Sequence, residues 1–304
     1  MFDVGIIGFG PGGMSAAIYA KRYGLSPIVY EAGISGGNAA LSPLIENYLG
    51  FGEIRGSELA STMEKHARRY VDKIVNAQVL EVVRVEPGFE IKTASSAEQV
   101  KALIIATGTK HRELGVPGEE KLKGKGVSYC ATCDGFFFRN KKVAVVGGGN
   151  TAVVEALYLR ELGAEVYLIH RRDRLRAEEV YYKRLLEKGV KILWNSVVKE
   201  VVGDKRVEAL KIENTLDKTL SEISVNGVFV AIGDEPQNEI PKQLGVALSE
   251  KGYVVVDTNC RTNQKFVYAC GDITGVFNQI IIAAAQGALA ARSAYEDLMK
   301  VSVS

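Results

Sequence analysis

Two cysteines three positions apart, in Cys130-Ala131-Thr132-Cys133-Asp134-Gly135, are the residues of this chain best suited to chemistry. At this spacing two thiols can close into an easily reduced disulfide. One thiol of such a motif usually has a lowered pKa and attacks, and the other resolves the mixed disulfide. Asp134 adds a proton carrier beside the sulfurs. Two other readings compete, half a zinc site and a pair of buried structural thiols. Zinc needs four ligands, and His66, His111, His170, Cys260 and Cys270 are scattered through the chain. Cys260 and Cys270 read as small core residues.

A redox dithiol needs an electron source, and two strand, glycine-turn, helix units with landmarks at matching offsets supply candidates. The first runs from strand Val4 to Ile7 into Gly8, Gly10 and Gly13, then a helix with Met14, Ala17 and Ile18 on one face, ending at Gly24. The second runs from Val143 to Val146 into Gly147, Gly149 and Ala152, then a helix with Val153, Ala156 and Leu157, ending at Gly163. First to terminating glycine is 16 positions in both, by subtraction of 8 from 24 and of 147 from 163. One glycine makes the tight turn, the next lets backbone approach a pyrophosphate, and the third small residue lets helix pack on strand. A single such turn is weak evidence; two in phase point to two dinucleotide sites.

The end of the following strand separates the two ligands. A carboxylate there accepts from ribose hydroxyls, whereas arginines there pair with a ribose phosphate. Glu31 lies 23 positions after Gly8, while His170 lies 23 after Gly147 and is followed by Arg171, Arg172 and Arg176. The first unit is therefore expected to hold FAD or NAD and the second NADP.

The positioning elements repeat as well. Residues 78–100 alternate as short strands before strand Ala102 to Ile105 and the turn Ala106-Thr107-Gly108. Residues 197–220 alternate again before Val228 to Ile232 and Gly233. Phe266 to Ala269 forms a late strand ending at Cys270-Gly271-Asp272, and an Ala-rich helix is expected from about Gln279 to Met299. The fold class is α/β: two nucleotide-binding Rossmann-like domains of three-layer ββα type, with parallel sheets and small antiparallel β-meanders.

A length of 304 residues suits two domains with a cofactor cleft. The net charge is +2 with both signs interspersed, so no basic tract points to nucleic acid or a membrane surface. No apolar run approaches the roughly 20 residues needed to cross a bilayer. Four cysteines, two of them in the one C-x-x-C, suit a reducing compartment, and the cytoplasm is expected.

These residues resemble the low-molecular-weight thioredoxin reductases over nearly the whole chain. The motifs concerned are Gly8-Phe9-Gly10-Pro11-Gly12-Gly13, Ile45-Glu46-Asn47-Tyr48, Ala106-Thr107-Gly108, the dithiol with Phe136-Phe137-Phe138, Gly147-Gly148-Gly149-Asn150-Thr151-Ala152, His170-Arg171-Arg172-Asp173 and Gly271-Asp272. The resemblance implies a discontinuous FAD-binding domain, residues 1–112 plus 236–304, and an inserted NADPH-binding domain, 113–235, bearing the dithiol. It implies that Gly8, Gly10, Pro11, Gly13 and Glu31 hold the adenosine and pyrophosphate of FAD. Gly37, Asn38, Asn47, Ala106, Thr107, Gly108, Gly271, Asp272, Gln279 and Ile280 would line the remainder, with Asn47, Gln279 and Ile280 towards the flavin and Asp272 on the ribityl chain. NADPH would be held by Gly147, Gly149, Asn150, Thr151, His170, Arg171, Arg172, Arg176, Ile232 and Gly233.

By the same resemblance Cys133 would exchange electrons with the flavin, Cys130 would attack the substrate disulfide, and Asp134 would be the general acid. No metal is expected. The partner would be thioredoxin or a related thioredoxin-like or glutaredoxin-like protein, and the assembly a homodimer. Because the dithiol travels with the nicotinamide segment, turnover would involve rotation between two domain arrangements. The chain departs from the family pattern at three places: Asn38-Ala39 in place of Gln-Leu, Asn278 in place of arginine, and Asp234 in place of histidine. A flavin-dependent dithiol oxidase using oxygen needs the dithiol but no nicotinamide site, and a zinc-stapled binding module needs neither cofactor.

Overall fold

In a computed structural model of the chain, residues 1–42 and 44–302 are described. Pro43 lies outside the described residues, as do Val303 and Ser304 at the end of the 236–304 segment. The chain divides into two compact units, Met1–Lys110 with Glu235–Ser304, and His111–Asp234.

The first unit is built on a seven-stranded sheet. Its parallel part orders Lys73–Val75, Pro27–Tyr30, Phe2–Ile7 and Ala97–Ile105, with Val267–Ala269 beside the last. Alternation sends Val4, Ile6, Val29, Ala102, Ile104 and Tyr268 to one face and Ile7, Ile28, Tyr30, Leu103, Ile105 and Val267 to the other, all buried. Burial on both faces explains why these strands read as apolar runs rather than alternating ones. The expected boundary near residue 101 is absent: Ala97–Ile105 is one strand. Its first half pairs antiparallel with Gly88–Lys92, which pairs with Glu81–Val85, and its second half lies parallel to Val267–Ala269. The meander of this unit is thus an edge of the main sheet.

The second unit has a parallel sheet ordered Lys191–Leu193, Glu165–Ile169, Lys142–Gly147, Gly227–Ala231 and Val127–Ser128. Val143, Val145, Leu168 and Phe229 face the helices Asn150–Glu161 and Glu179–Glu187. Ala144, Val146, Val228 and Val230 face a separate antiparallel meander of Ser196–Val202, Ala209–Asn214 and Leu220–Ser224. Helices, parallel sheet and meander make the three layers expected.

The repeat read in the sequence survives in detail. The helices Pro11–Arg22 and Asn150–Glu161 are both 12 residues long. Gly24 and Gly163 stop them at φ +82° and +89°, with N–H bonds from Leu25 to Ala20 and from Ala164 to Leu159 reaching back over the last turn. That is the left-handed glycine cap, which a side chain would oppose. The C-terminal helix Ile280–Ser302 lies along Pro11–Arg22. Ala290, Ala291 and Ala294 are buried there, and a Cβ on Gly287 would run into the Gly12 carbonyl. Small side chains at the crossing bring the end of the chain back onto its beginning.

Candidate active site

Cys130 and Cys133 form a disulfide. Cys130 caps the short helix Ala131–Asp134, and its sulfur accepts from the Cys133 N–H at 3.1 Å. Cys133 is exposed, Cys130 half-buried and Ala131 buried. The segment is fixed by Ser128, whose hydroxyl accepts from the Cys130 N–H at 3.1 Å and donates to Asp134 Oδ2 at 2.6 Å. Asp134 is therefore held in place one residue beyond Cys133 by a charge-assisted hydrogen bond. Phe136 and Phe137 follow as exposed rings, while Phe138 packs edge-on against Phe229. Cys260 and Cys270 are free and buried, and burial pushes both thiols up, Cys260 to about 11.

Beneath the dithiol lies a group that spacing did not reveal. Glu155, from Asn150–Glu161, is 5% exposed and accepts from the Ala131 N–H at 3.4 Å through Oε1. Burial pushes its carboxyl up to about 7, against the pull of the Ala131 hydrogen bond and of His111. The sequence carried a signal for it, because Glu155 sits in the Ala152, Ala156, Leu159 stripe that faces the core.

His111 lies in the same unit, its Nδ1 3.0 Å from Asp234 Oδ1. This hydrogen bond raises the imidazole pKa over the opposing effect of burial. The departure at Asp234 is thereby paired with a histidine of the same unit.

The glycine turns are shaped for close approach. A Cβ on Gly13 would strike the Gly8 carbonyl, and one on Gly147 would strike the Ala231 carbonyl and the Ala152 methyl. The middle glycines differ. Gly10 has no atom nearer than 3.9 Å to such a Cβ, and Gly149 none within 4 Å. Both helices that follow start without a side-chain cap. Free N–H groups beside an open glycine suit a pyrophosphate.

Around the first turn, Glu31 accepts from the Phe9 and Gly33 N–H groups at 2.7 Å each. Asn47 donates to Gln279 Oε1 at 3.0 Å, joining two residues 232 positions apart. Asn38 donates to Thr109 Oγ1, and Thr107 Oγ1 to the Gln237 carbonyl. The Ala106 N–H donates to the Ile7 carbonyl, which sets Ala106-Thr107-Gly108 beside the first turn. Gly37 and Gly271 take φ +53° and +80°, Asp272 opens a 3₁₀ turn, and Ile280 starts the C-terminal helix. Pro11 occupies the first helical position, where its missing N–H costs nothing.

Around the second turn, Arg171, Arg172 and Arg176 are exposed, and the Arg176 N–H donates to the Gly148 carbonyl at 2.7 Å. His170 is placed differently from its arginine neighbours. Its ring is buried under Gly148 with Nε2 3.0 Å from the Arg174 carbonyl, and burial, helped by Arg176 and Arg172, lowers its pKa. Asn150 exchanges two hydrogen bonds with Glu178. Thr151 starts the helix beside it, and Ile232 and Gly233 follow strand Gly227–Ala231, the Gly233 carbonyl accepting from the Arg112 N–H. Among the described residues no three metal-ligating side chains converge, and no helix is long and apolar enough to cross a membrane.

The model of the pyridine nucleotide-disulphide oxidoreductase family matches residues 2–287. A thioredoxin reductase of Listeria innocua is 39% identical over 297 residues, 97% of this chain and 93% of that protein. One from Bacillus subtilis is 38% identical over 96% and 93%. The crystal structure of Lactococcus lactis thioredoxin reductase in its FR conformation superposes with a TM-score of 0.95 at 37% identity, covering 99% of this chain and all of that one. That of T. acidophilum thioredoxin reductase gives 0.94 at 39% identity, covering 98% and 99%.

Proposed function

The chain belongs to the pyridine nucleotide-disulphide oxidoreductase family, and from that premise we propose that it is a thioredoxin-disulfide reductase. It draws electrons from NADPH through FAD and delivers them from Cys130 and Cys133 to the disulfide of thioredoxin or a related small redox protein. The observation that carries the reading is the Cys130–Cys133 disulfide within a unit that has its own open glycine turn and the exposed arginines Arg171, Arg172 and Arg176. A dithiol oxidase using oxygen would have no use for that second turn.

The residues fit both dinucleotides, because each turn offers uncapped helical N–H groups over an open glycine. Met1–Lys110 with Glu235–Ser304 would hold FAD through Gly8, Gly10, Gly13, Glu31, Asn47 and Asp272. His111–Asp234 would hold NADPH through Gly147, Gly149, Asn150, Arg171, Arg172 and Arg176. Bound FAD supplies two-electron transfer between a nicotinamide and a disulfide.

The chain's own residues perform the exchange. The Cys130 thiolate attacks one sulfur of the substrate disulfide and expels the other as a thiolate. Asp134, oriented by Ser128, takes the proton of the Cys133 thiol and passes it to that leaving sulfur. Cys133 then displaces the substrate from Cys130 and restores the internal disulfide. A cytoplasmic homodimer belongs to the same proposal and is checked by sedimentation and cell fractionation.

NADPH-dependent reduction of thioredoxin, run with the full-length protein and with Cys130→Ser, tests the reading. Turnover by the first and none by the second is expected. Undiminished turnover in the variant, or oxygen uptake in place of thioredoxin reduction by the parent, would end it.

A further inference from the structure

Three buried side-chain polar atoms among the described residues lack a hydrogen-bond partner, and two of them, His111 Nε2 and Glu155 Oε2, belong to groups that act on each other electrostatically. An unpaired buried carboxylate oxygen costs enough that it calls for an explanation. Its companion Oε1 supplies one, since it rests on the N–H of Ala131, the residue directly after Cys130. The groups facing Glu155 from neighbouring elements are His111, which favours its ionised form, and Asp234, which opposes it. Asp134, on the dithiol helix, is engaged with Ser128.

We propose that Glu155 is a positioning residue that couples the proton balance of the unit to the state of the dithiol, ionised beneath the Cys130–Cys133 disulfide and protonated when the pair is reduced. The inference rests on the proposed function only in taking this pair as the one that cycles. When two electrons enter, the S–S bond breaks; one sulfur takes a proton and becomes a thiol, and the other remains a thiolate. On Cys130, which is half-buried and directly precedes the Ala131 N–H that Glu155 accepts, that new negative charge adds to the Glu155 carboxylate, and like charges there disfavour each other. Uptake of a second proton from water by Glu155 removes the conflict. When the dithiol is reoxidised by its substrate, the carboxyl releases that proton. The poise of Glu155 suits this, because its carboxyl titrates at about 7 rather than in the usual carboxylate range.

The test is the equilibrium between the full-length protein and dithiothreitol at a series of pH values, read by acid quenching and alkylation of Cys130 and Cys133. This reads the dithiol whether or not thioredoxin is the substrate, so its failure is separable from failure of the proposed function. Glu155→Gln keeps an oxygen for the Ala131 N–H and removes the titration. The reduction constant of the parent, divided by that of Glu155→Gln, should fall at least twofold between pH 6 and pH 8, where a rise of about half a unit in the Glu155 pKa on reduction gives about 2.5-fold. His111→Asn should move the fall to higher pH. A ratio constant with pH would mean that Glu155 only packs, and the proposal is then wrong. Should Glu155→Gln not fold, reduced-minus-oxidised infrared spectra of the parent decide: a protonated-carboxyl band gained on reduction near pH 7 but not at pH 5 supports the coupling, and no gain at either pH overturns it.

Discussion

Asp234 Oδ1 lies 3.0 Å from His111 Nδ1, so the first and last residues of the inserted unit hold each other. The hydrogen bond raises the folded imidazole above its ordinary value of 6.5. A raised base contributes stability that is fully present below the unfolded pKa and is lost as pH rises through the folded one. Asp234→Asn should therefore lower the melting temperature more at pH 5.5 than at pH 8.5. A deficit independent of pH would show that the pair acts through shape alone.

Ser128 and Asp134 make the second prediction. The 2.6 Å hydrogen bond between them fixes the carboxylate at the dithiol. Asp134→Asn should slow thioredoxin reduction by about 10²–10⁴-fold, the range for a lost general acid. Ser128→Ala, which leaves the acid but frees it, should cost less. Rapid mixing with NADPH alone should give near-parental flavin bleaching in both. Slowed bleaching would place Asp134 in the wrong half of the reaction.

Arg171 and Arg172 are exposed behind the second glycine turn. If they pair with a ribose phosphate, replacing both with Ala removes charge-assisted bonds of roughly 1.5–3 kcal/mol each. The KM for NADPH should then rise at least tenfold while that for NADH moves little. Equal changes for the two coenzymes would mean the arginines serve another purpose.

The glycine turns were legible in sequence because their residue types and spacing recur within each strand, turn and helix unit. Gly13 is demanded by the Gly8 carbonyl, and Gly24 and Gly163 end their helices through bonds inside the last turn, whereas the carbonyls of Ala106 and Ala231 that crowd Gly8 and Gly147 come from the ends of neighbouring strands. The dithiol was legible because its spacing is local. Tertiary partners were not. His170 falls at the offset of a phosphate ligand, yet its ring is sunk under Gly148, and offset carries no information about burial. Ser128 and Glu155 looked like ordinary strand and helix residues, since the first acts through a turn six positions on and the second across 24 positions. Glu155 alone left a trace, as an acid in an otherwise apolar stripe. The break expected before Ala102 failed because alternation ended while pairing did not: Ala97–Ile105 changes neighbours midway and continues.

The last prediction concerns what joins the two pieces of the discontinuous unit. Helix Ile280–Ser302 meets helix Pro11–Arg22 where a Cβ on Gly287 would collide with the Gly12 carbonyl and come within 3.0 Å of the Ala16 N. Backbone on that side cannot yield as a flexible side chain could, so Gly287→Val must push the helices apart. Overpacking of this kind costs about 1–3 kcal/mol, a loss of several degrees in melting temperature for a domain of this size. The displacement has a chemical consequence too, since one helix begins just after Gln279 and the other at the first glycine turn. Flavin retained through gel filtration should fall with stability in Gly287→Val, whereas Leu216→Ser, at an exposed position of the other unit, should change neither. Parental melting temperature and flavin content in the glycine variant would show that the close crossing is not what binds residues 235–304 to the first sheet.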